Sequence, residues 1–170
     1  MKEPVLAVDL DSTLLRTDSL FESLFVLLRE QPFALSGAVR ALLGGRARFK
    51  AWVADHVLPD VAALPLNEPL LEWLHAEQRT GRRLALVTAA DRRIAEAVAA
   101  RVGLFEEVLA SDGGRNLKAA AKAAVLVDRF GQGGFDYAGD ARADLPVWRA
   151  ARRAIVVGGP RLEQAARRVA

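Results

Sequence analysis

The stretch Val5-Leu6-Ala7-Val8-Asp9-Leu10-Asp11-Ser12-Thr13 constrains this chain more than any other. Val5 to Val8 is a short apolar run, partly β-branched, which predicts a buried strand. Its apolar character stops at Asp9, and Asp11 follows two positions later. Two carboxylates this close to the C-terminal end of a strand are costly unless a cation or a substrate compensates them. In an open α/β sheet, ligands sit at that end. Asp9 and Asp11 therefore point to a Mg²⁺-assisted site for phosphate chemistry, because Mg²⁺ takes hard oxygen ligands and screens the repulsion between carboxylate and phosphate.

The remaining chain is long enough to build such a sheet. Its 170 residues, 52% of them hydrophobic, suit one α/β domain and exclude a disordered chain. Cysteine is absent, which removes disulfides, a thiolate nucleophile and cysteine-based metal sites. His56 and His75 lie too far apart for a ligand pair. The net charge of +3 rests mostly on arginine, in pairs such as Arg82-Arg83 and Arg152-Arg153 that read as solvated faces or as attraction to an anionic partner. The few aromatic residues are not interleaved with these basic groups, which argues against a nucleic-acid partner. Met1-Lys2-Glu3-Pro4 leads directly into the first strand without a leader, and the apolar region from Leu20 to Leu43 is broken by Glu22, Arg29, Glu30, Gln31, Pro32 and Arg40. The expectation is a cytoplasmic protein, at most resting on the inner face of the cell membrane.

Taken in order, the chain predicts a helix over Ser19 to Glu30, a second over Phe33 to Leu43 that Gly44-Gly45 stops, and a third over Arg46 to Val57. Three helices before any second strand make an insertion rather than a crossover. Regular alternation follows. Asn67 caps a helix with Pro69 in its first turn, Arg83 to Thr88 is a strand, and Asp91 caps a helix closed by Gly103. Glu107 to Ala110 is a strand and Leu117 to Phe130 a helix. Phe135 to Ala138 is a strand, Asp144 to Ala151 a short helix, Ala154 to Val157 the last strand, and Arg161 to Val169 the terminal helix. This alternation predicts a doubly wound parallel sheet.

Chemistry-bearing residues recur at the strand ends: Asp9 and Asp11 after the first, Thr88 after the second, Lys118 after the third and its loop, and Asp140 and Asp144 after the fourth. Together they supply a nucleophile, an acid/base, a hydroxyl donor, a fixed cation and further metal carboxylates, which is the inventory of phosphoryl transfer.

In this combination the chain resembles the haloacid dehalogenase (HAD) superfamily of phosphohydrolases. Asp9-Leu10-Asp11-Ser12-Thr13 is similar to its first motif, Thr88 to the second, Lys118 to the third, and Gly139-Asp140-Ala141-Arg142-Ala143-Asp144 to the fourth. Order and approximate spacing agree across residues 5 to 157. Ser12 departs from the pattern, since glycine is common there. The resemblance implies a Rossmann-like core and makes Asp9 the nucleophile and Asp11 the acid/base. By the same resemblance, Thr13, Thr88, Ala89 and Lys118 hold the substrate, and Asp9, Asp140, Asp144 and the Asp11 backbone carbonyl hold Mg²⁺. Lys122 is the runner-up for the lysine, because Lys118 lies nearer the helix N-terminus. Residues 18–66 correspond to a small helical cap inserted after the first strand. The seven residues from Ser111 to Leu117 leave no room for a cap at the family's second site, so the mouth stays open to a bulky substrate.

A narrower resemblance rests on Leu14 to Leu20, Gly45 to Lys50, Asn67 to Leu71 and Thr88 to Arg93. These segments are similar to the HAD domain that precedes a UbiA-type membrane prenyltransferase in fused bacterial proteins. That implies a soluble part of a longer membrane protein and a phosphorylated small-molecule or prenyl-linked substrate. It also draws attention to Leu20, Leu24, Phe25, Leu28, Phe33, Leu35, Val39, Leu42 and Leu43 as a greasy surface, with Arg40, Arg46, Arg48 and Lys50 facing anionic lipid. The alternatives are a receiver-like signalling module and a catalytically silent regulatory domain. Against the first stands the acidic pair that follows the lysine; against the second, the intact motif set.

Overall fold

The computed structural model describes residues 3–31, 33, 35–112 and 116–169, without the side chains of residues 35, 36, 46 and 47. Five parallel strands, β1 (Val5–Val8), β2 (Leu84–Asp91), β3 (Glu107–Ser111), β4 (Phe135–Gly139) and β5 (Arg153–Val156), form a sheet in the order β3-β2-β1-β4-β5. Central β1 pairs Leu6 with Leu84 on one side and Val5 with Phe135 on the other. This is the doubly wound α/β sheet expected from the alternation. A receiver-type sheet runs 2-1-3-4-5, so that topology is excluded. The winding direction reverses between β1 and β4, and the crevice beyond their C-terminal ends is where such sheets place ligands.

Both faces are covered, which is why the strands are continuously apolar rather than alternating. Leu6 and Val8 point to one face and join Leu84, Leu86 and side chains of α4 (Glu68–Arg79) and α5 (Arg92–Val102), among them Leu74, Ile94 and Val98. Val5 and Ala7 point to the other and join Phe135 and Tyr137. That layer is completed by α6 (Ala120–Phe130), α7 (Leu145–Ala150) and α8 (Pro160–Arg167), which contribute Leu126, Trp148 and Ala166.

Between β1 and α4 the chain makes a wide turn over Leu10–Leu14 and then the insert: α1 (Ser19–Glu30), α2 (Leu35–Leu43) and α3 (Arg46–His56). Asp18 caps α1 by accepting from the N–H groups of Leu20 and Phe21. Leu27, Val53 and Val57 form a small separate core with Leu20, Leu24, Phe49 and Trp52. The excursion closes through an antiparallel bridge between Leu15 and Leu66.

Three local expectations shift. β2 runs on to Asp91, past its expected end at Thr88, with a register irregularity against β3 after Val87, so Ala89 lies within the strand rather than beyond it. Asn67 does not cap α4 with its side chain; its Nδ2 donates to the Thr13 carbonyl at 3.0 Å and ties the wide turn to the helix start. Finally, α6 starts at Ala120 rather than Leu117, because the Leu117 N–H is taken by Ser111 Oγ at 2.9 Å and Ala119 has φ 51°, ψ −118°.

One buried charge anchors the opposite end of the sheet. Asp136 on β4 is fully buried and accepts from Arg152 at 2.9 and 2.8 Å and from the Arg82 guanidinium, which also bonds Glu77 at 2.6 Å. Burial alone would raise the Asp136 carboxyl, but its hydrogen bonds from Arg152 and Arg82 hold it below the usual range. Such a group stabilises the fold above the ordinary carboxylate range and loses that effect as acid protonates it. Asp136→Ala takes the buried carboxylate partner from Arg82, which keeps Glu77, and should lower stability by about 3 kcal/mol at neutral pH. Urea unfolding measures the loss, and the gap to the wild type should narrow on acidification.

Candidate active site

The crevice at the β1/β4 end is a cavity of about 200 Å³ whose walls include Asp9, Asp11, Thr88, Lys118, Lys122, Asp140 and Asp144. β1 delivers Asp9, whose N–H is held by the Ala138 carbonyl of β4 at 2.9 Å and whose Oδ1 accepts from Leu10 N at 2.8 Å. Asp140 follows β4 directly, and Thr13 Oγ1 donates to its Oδ1 at 2.9 Å. Asp144 sits one short turn later, with Oδ2 accepting from the Ala141 N–H at 3.1 Å. Gly139 permits this approach, since a Cβ there would lie 2.7 Å from Asp144 Oδ2 and from the Tyr137 ring.

Carboxylate oxygens of Asp9, Asp140 and Asp144 lie within 4.8 Å of one another. A cluster of hard oxygen donors without histidine or cysteine fits Mg²⁺. Burial raises the Asp140 carboxyl, with Asp9 and Asp144 adding to the effect against the Thr13 hydrogen bond. Asp11 lines the cavity outside that cluster: its Oδ1 accepts from Ser19 N at 2.8 Å at the start of α1, and burial raises its carboxyl as well.

The cation among these acids is Lys122. Its Nζ lies 2.9 Å from Asp9 Oδ1 and 3.6 Å from Asp144 Oδ1, and it donates to the Tyr137 hydroxyl at 2.7 Å. That hydroxyl donates onward to Asp144 at 2.9 Å, and burial pushes its pKa well above the ordinary value, so it stays a donor. Lys118, favoured from its position near the expected helix start, lines the cavity but makes no ion pair among the described residues. The physical reason is the late start of α6: Lys118 precedes the helix, while Lys122 occupies its first turn and faces the sheet. Thr88 is fully buried, and its Oγ1 accepts from Ala90 N at 2.9 Å, leaving its O–H free to donate. Ala89 offers its backbone to the cavity, and its carbonyl accepts from Lys50 Nζ at 2.7 Å. Lys50 therefore reaches into the crevice instead of toward a lipid surface. Ser12, at φ 57°, adopts the left-handed conformation that glycine takes most easily, which accounts for glycine's frequency there.

Sequence reasoning missed Lys50 and Tyr137. Tyr137 looks like one more apolar strand residue, and only its alternation with Asp136 hints that it faces the α6 side.

The family model described as haloacid dehalogenase-like hydrolase matches residues 40–149. The chain belongs to the haloacid dehalogenase-like hydrolases. An uncharacterised protein of Sinorhizobium fredii, y4nM, is 39% identical over 153 residues, covering 90% of this chain and 30% of that protein. This chain thus spans about a third of the length of the curated relative it matches. Among solved structures of this hydrolase fold, a Bordetella pertussis protein of unknown function superposes with a TM-score of 0.74 at 17% identity, over 99% of this chain and 96% of the other. A substrate-bound phosphoserine phosphatase superposes at 0.66 and 14% identity over 97% and 91%. A phosphoserine phosphatase carrying an analogue of a phospho-aspartyl intermediate does so at 0.64 and 14% over 97% and 91%.

The site's electrostatics generate a testable sign. Burial, with Asp144 adding and Lys122 opposing, raises the Asp9 carboxyl to about 6. Between its ordinary value near 3.8 and about 6, the folded hydrolase holds a proton that the unfolded chain has released. Stability in chelator therefore falls as pH rises through that window. Asp9→Asn removes the buried charge and should melt above the wild type at pH 7.5 in EDTA, with the difference vanishing near pH 4. Thermal unfolding at the two pH values checks it.

Proposed function

We propose that this hydrolase is a Mg²⁺-dependent phosphatase that cleaves a phosphate monoester through an aspartyl-phosphate on Asp9. The observation that carries the reading is the convergence of Asp9, Asp140 and Asp144 around one buried lysine, with the Thr88 hydroxyl beside them. Asp9 attacks phosphorus in line, and its carboxylate oxygen displaces the alcohol oxygen of the ester. Asp11 gives that oxygen a proton and then takes one from the water that hydrolyses the acyl phosphate. Thr88 and the Ala89 backbone donate to the phosphoryl oxygens, and Thr13 supports them by fixing Asp140. Lys122 holds Asp9 in position, and Lys118, free of carboxylate partners among the described residues, binds the transferring group. Asp9, Asp140, Asp144 and the Asp11 carbonyl would hold Mg²⁺, which supplies charge neutralisation for a dianionic phosphoryl group among carboxylates.

Asp9→Asn should abolish phosphate release while the protein stays folded. Asp11→Asn should lose roughly 10²–10⁴-fold, the usual worth of general acid–base help. EDTA should silence turnover and Mg²⁺ restore it, with Asp140→Ala demanding far more metal. A phosphate-release screen over sugar phosphates, nucleotides, phosphoamino acids and prenyl phosphates reads all of these, and full activity in metal-free buffer would overturn the metal's role.

In the same reading, the α1–α3 insert is the cap that admits the substrate, and the substrate is a prenyl-linked or sugar phosphate. The domain then works beside a UbiA-type membrane prenyltransferase. The favouring observation is apolar exposure on the insert. Phe21, Phe25 and Leu28 form a solvent-facing stripe on α1, Val39, Leu42 and Leu43 one on α2, and Phe33 between them is 94% exposed. Leu20 and Leu24, by contrast, pack into the insert's own core, and the side chains of Leu35 and Arg46 lie outside the described residues. Exposed apolar stripes of this kind mark contact with a partner or a lipid surface, and exposed Arg40 and Arg48 suit anionic head groups. No helix among the described residues is long and apolar enough to cross a membrane, so the contact is peripheral. Co-sedimentation with anionic liposomes at low salt should pull the protein down, and Phe21→Ser/Phe25→Ser should release it. Absence of binding to anionic and neutral vesicles alike, with no preference for prenyl phosphates, would remove the lipid from the reading.

A further inference from the structure

Lys50 is the cation that the mechanism above leaves unused. It comes from α3 of the insert and not from the sheet, yet it lines the same cavity as Asp9, Asp11, Asp18, Thr88 and Lys118. Its Nζ has the Ala89 carbonyl at 2.7 Å and no ion-pair partner among the described residues. An ammonium carries three donors and is costly to hold away from water without a counter-charge. Lys122 shows the contrast, since Asp9 and Asp144 both compensate it. Burial depresses the Lys50 pKa, and among the charges that oppose this Asp11 acts most strongly, then Asp18, ahead of Asp9. Asp11 is held by the start of α1, and α3 packs against α1, so Lys50 enters the crevice from the insert side that also orients Asp11, the acid/base of the reading above, while Lys122 pairs with Asp9.

We propose that Lys50 is a specificity-determining residue that reads an acidic group on the alcohol part of the substrate, a carboxylate or a second phosphate a few bonds from the ester oxygen. The ammonium exchanges the Ala89 carbonyl for that anion, a charge-assisted bond in place of a neutral one. The inference rests on the phosphatase reading and adds the substrate's charge to it. A purely structural role, with Lys50 tying α3 to β2, has a different signature, because a tether serves every substrate equally.

Four phosphate esters of two-carbon alcohols that differ in charge separate the two. They are ethyl phosphate, phosphoglycolate, ethane-1,2-diol bisphosphate and phosphoethanolamine. Lys50→Met should raise KM for one or both acidic esters by roughly tenfold to a hundredfold more than for ethyl phosphate, the span expected for a hydrogen bond between charged groups. The acidic ester with the larger loss identifies the anion, and Lys50→Arg should restore the ratio. Lys50→Glu should turn the preference toward phosphoethanolamine. Equal losses on all four esters would make Lys50 a tether and overturn the proposal. Calorimetric binding of the same esters to the Asp9→Asn protein gives the second readout. Turnover and binding that both ignore the alcohol's charge overturn the role of Lys50 and leave the phosphatase standing. Charge-selective binding that Lys50→Met abolishes, with no turnover by the wild type, supports Lys50 and overturns the phosphatase reading.

Discussion

One ammonium group holds this site together. Asp9, Asp140 and Asp144 arrive from two neighbouring strand ends, and three carboxylates within a few ångströms repel one another strongly where water is excluded. Lys122 answers that repulsion by pairing with Asp9 and Asp144 at once, and the Tyr137 hydroxyl completes the ring by accepting from Lys122 and donating to Asp144. The compensation is incomplete, as the raised Asp9 and Asp140 carboxyls attest. The residual negative potential is what a divalent cation would meet on arrival. Local structure serves the same end: Gly139 clears the space beside Asp144, and Thr13 turns the Asp140 carboxylate toward its neighbours.

Much of this was legible in the sequence, and the rest was hidden for identifiable reasons. Apolar runs ending in Asp9 and in Gly139-Asp140 located the two strand ends that meet at the crevice, because continuous apolar strands between helical segments admit few arrangements. Helix signals such as Asp91 and Gly103 act through local backbone bonding, and the helix they bound appears where expected. The choice between Lys118 and Lys122 was not legible. Both follow β3, and the decision lies in the backbone at Ala119, whose positive φ delays the helix. No propensity scale foresees an alanine in that conformation. The reach of Lys50 was hidden in the same way. Seen as sequence, it is one basic residue among several on the insert; its direction depends on how α3 packs, which is tertiary information.

The insert and the sheet are joined at the chemistry itself. The carboxylate of Asp11 accepts from the first N–H of α1, so a core residue is oriented by an insert helix. Lys50 reaches back from α3 to the β2 backbone. Arg93, at the start of α5, bonds Asp55 at 2.6 Å and the Ala51 carbonyl at 3.1 Å on α3. A rigid displacement of the three helices would alter Asp11 and Lys50 together, so the position of the insert and the geometry of the crevice are coupled.

The sheet order has a consequence for synthesis on the ribosome. β1 is made first and sits in the middle, and residues 5–8 find their two neighbours only at residues 84–86 and 135–138. The nascent chain must carry a wholly apolar strand unpaired through the making of the insert and α4, and paired on one side only through α5 and α6. Non-local pairing of this kind is slow and leaves sticky edges open in the meantime. The insert, with a small core of its own from contiguous residues, can collapse early. The crevice can close only once β4 has emerged and Asp140 stands beside Asp9, so a chain cut off before that point holds Asp9 without the carboxylates that surround it.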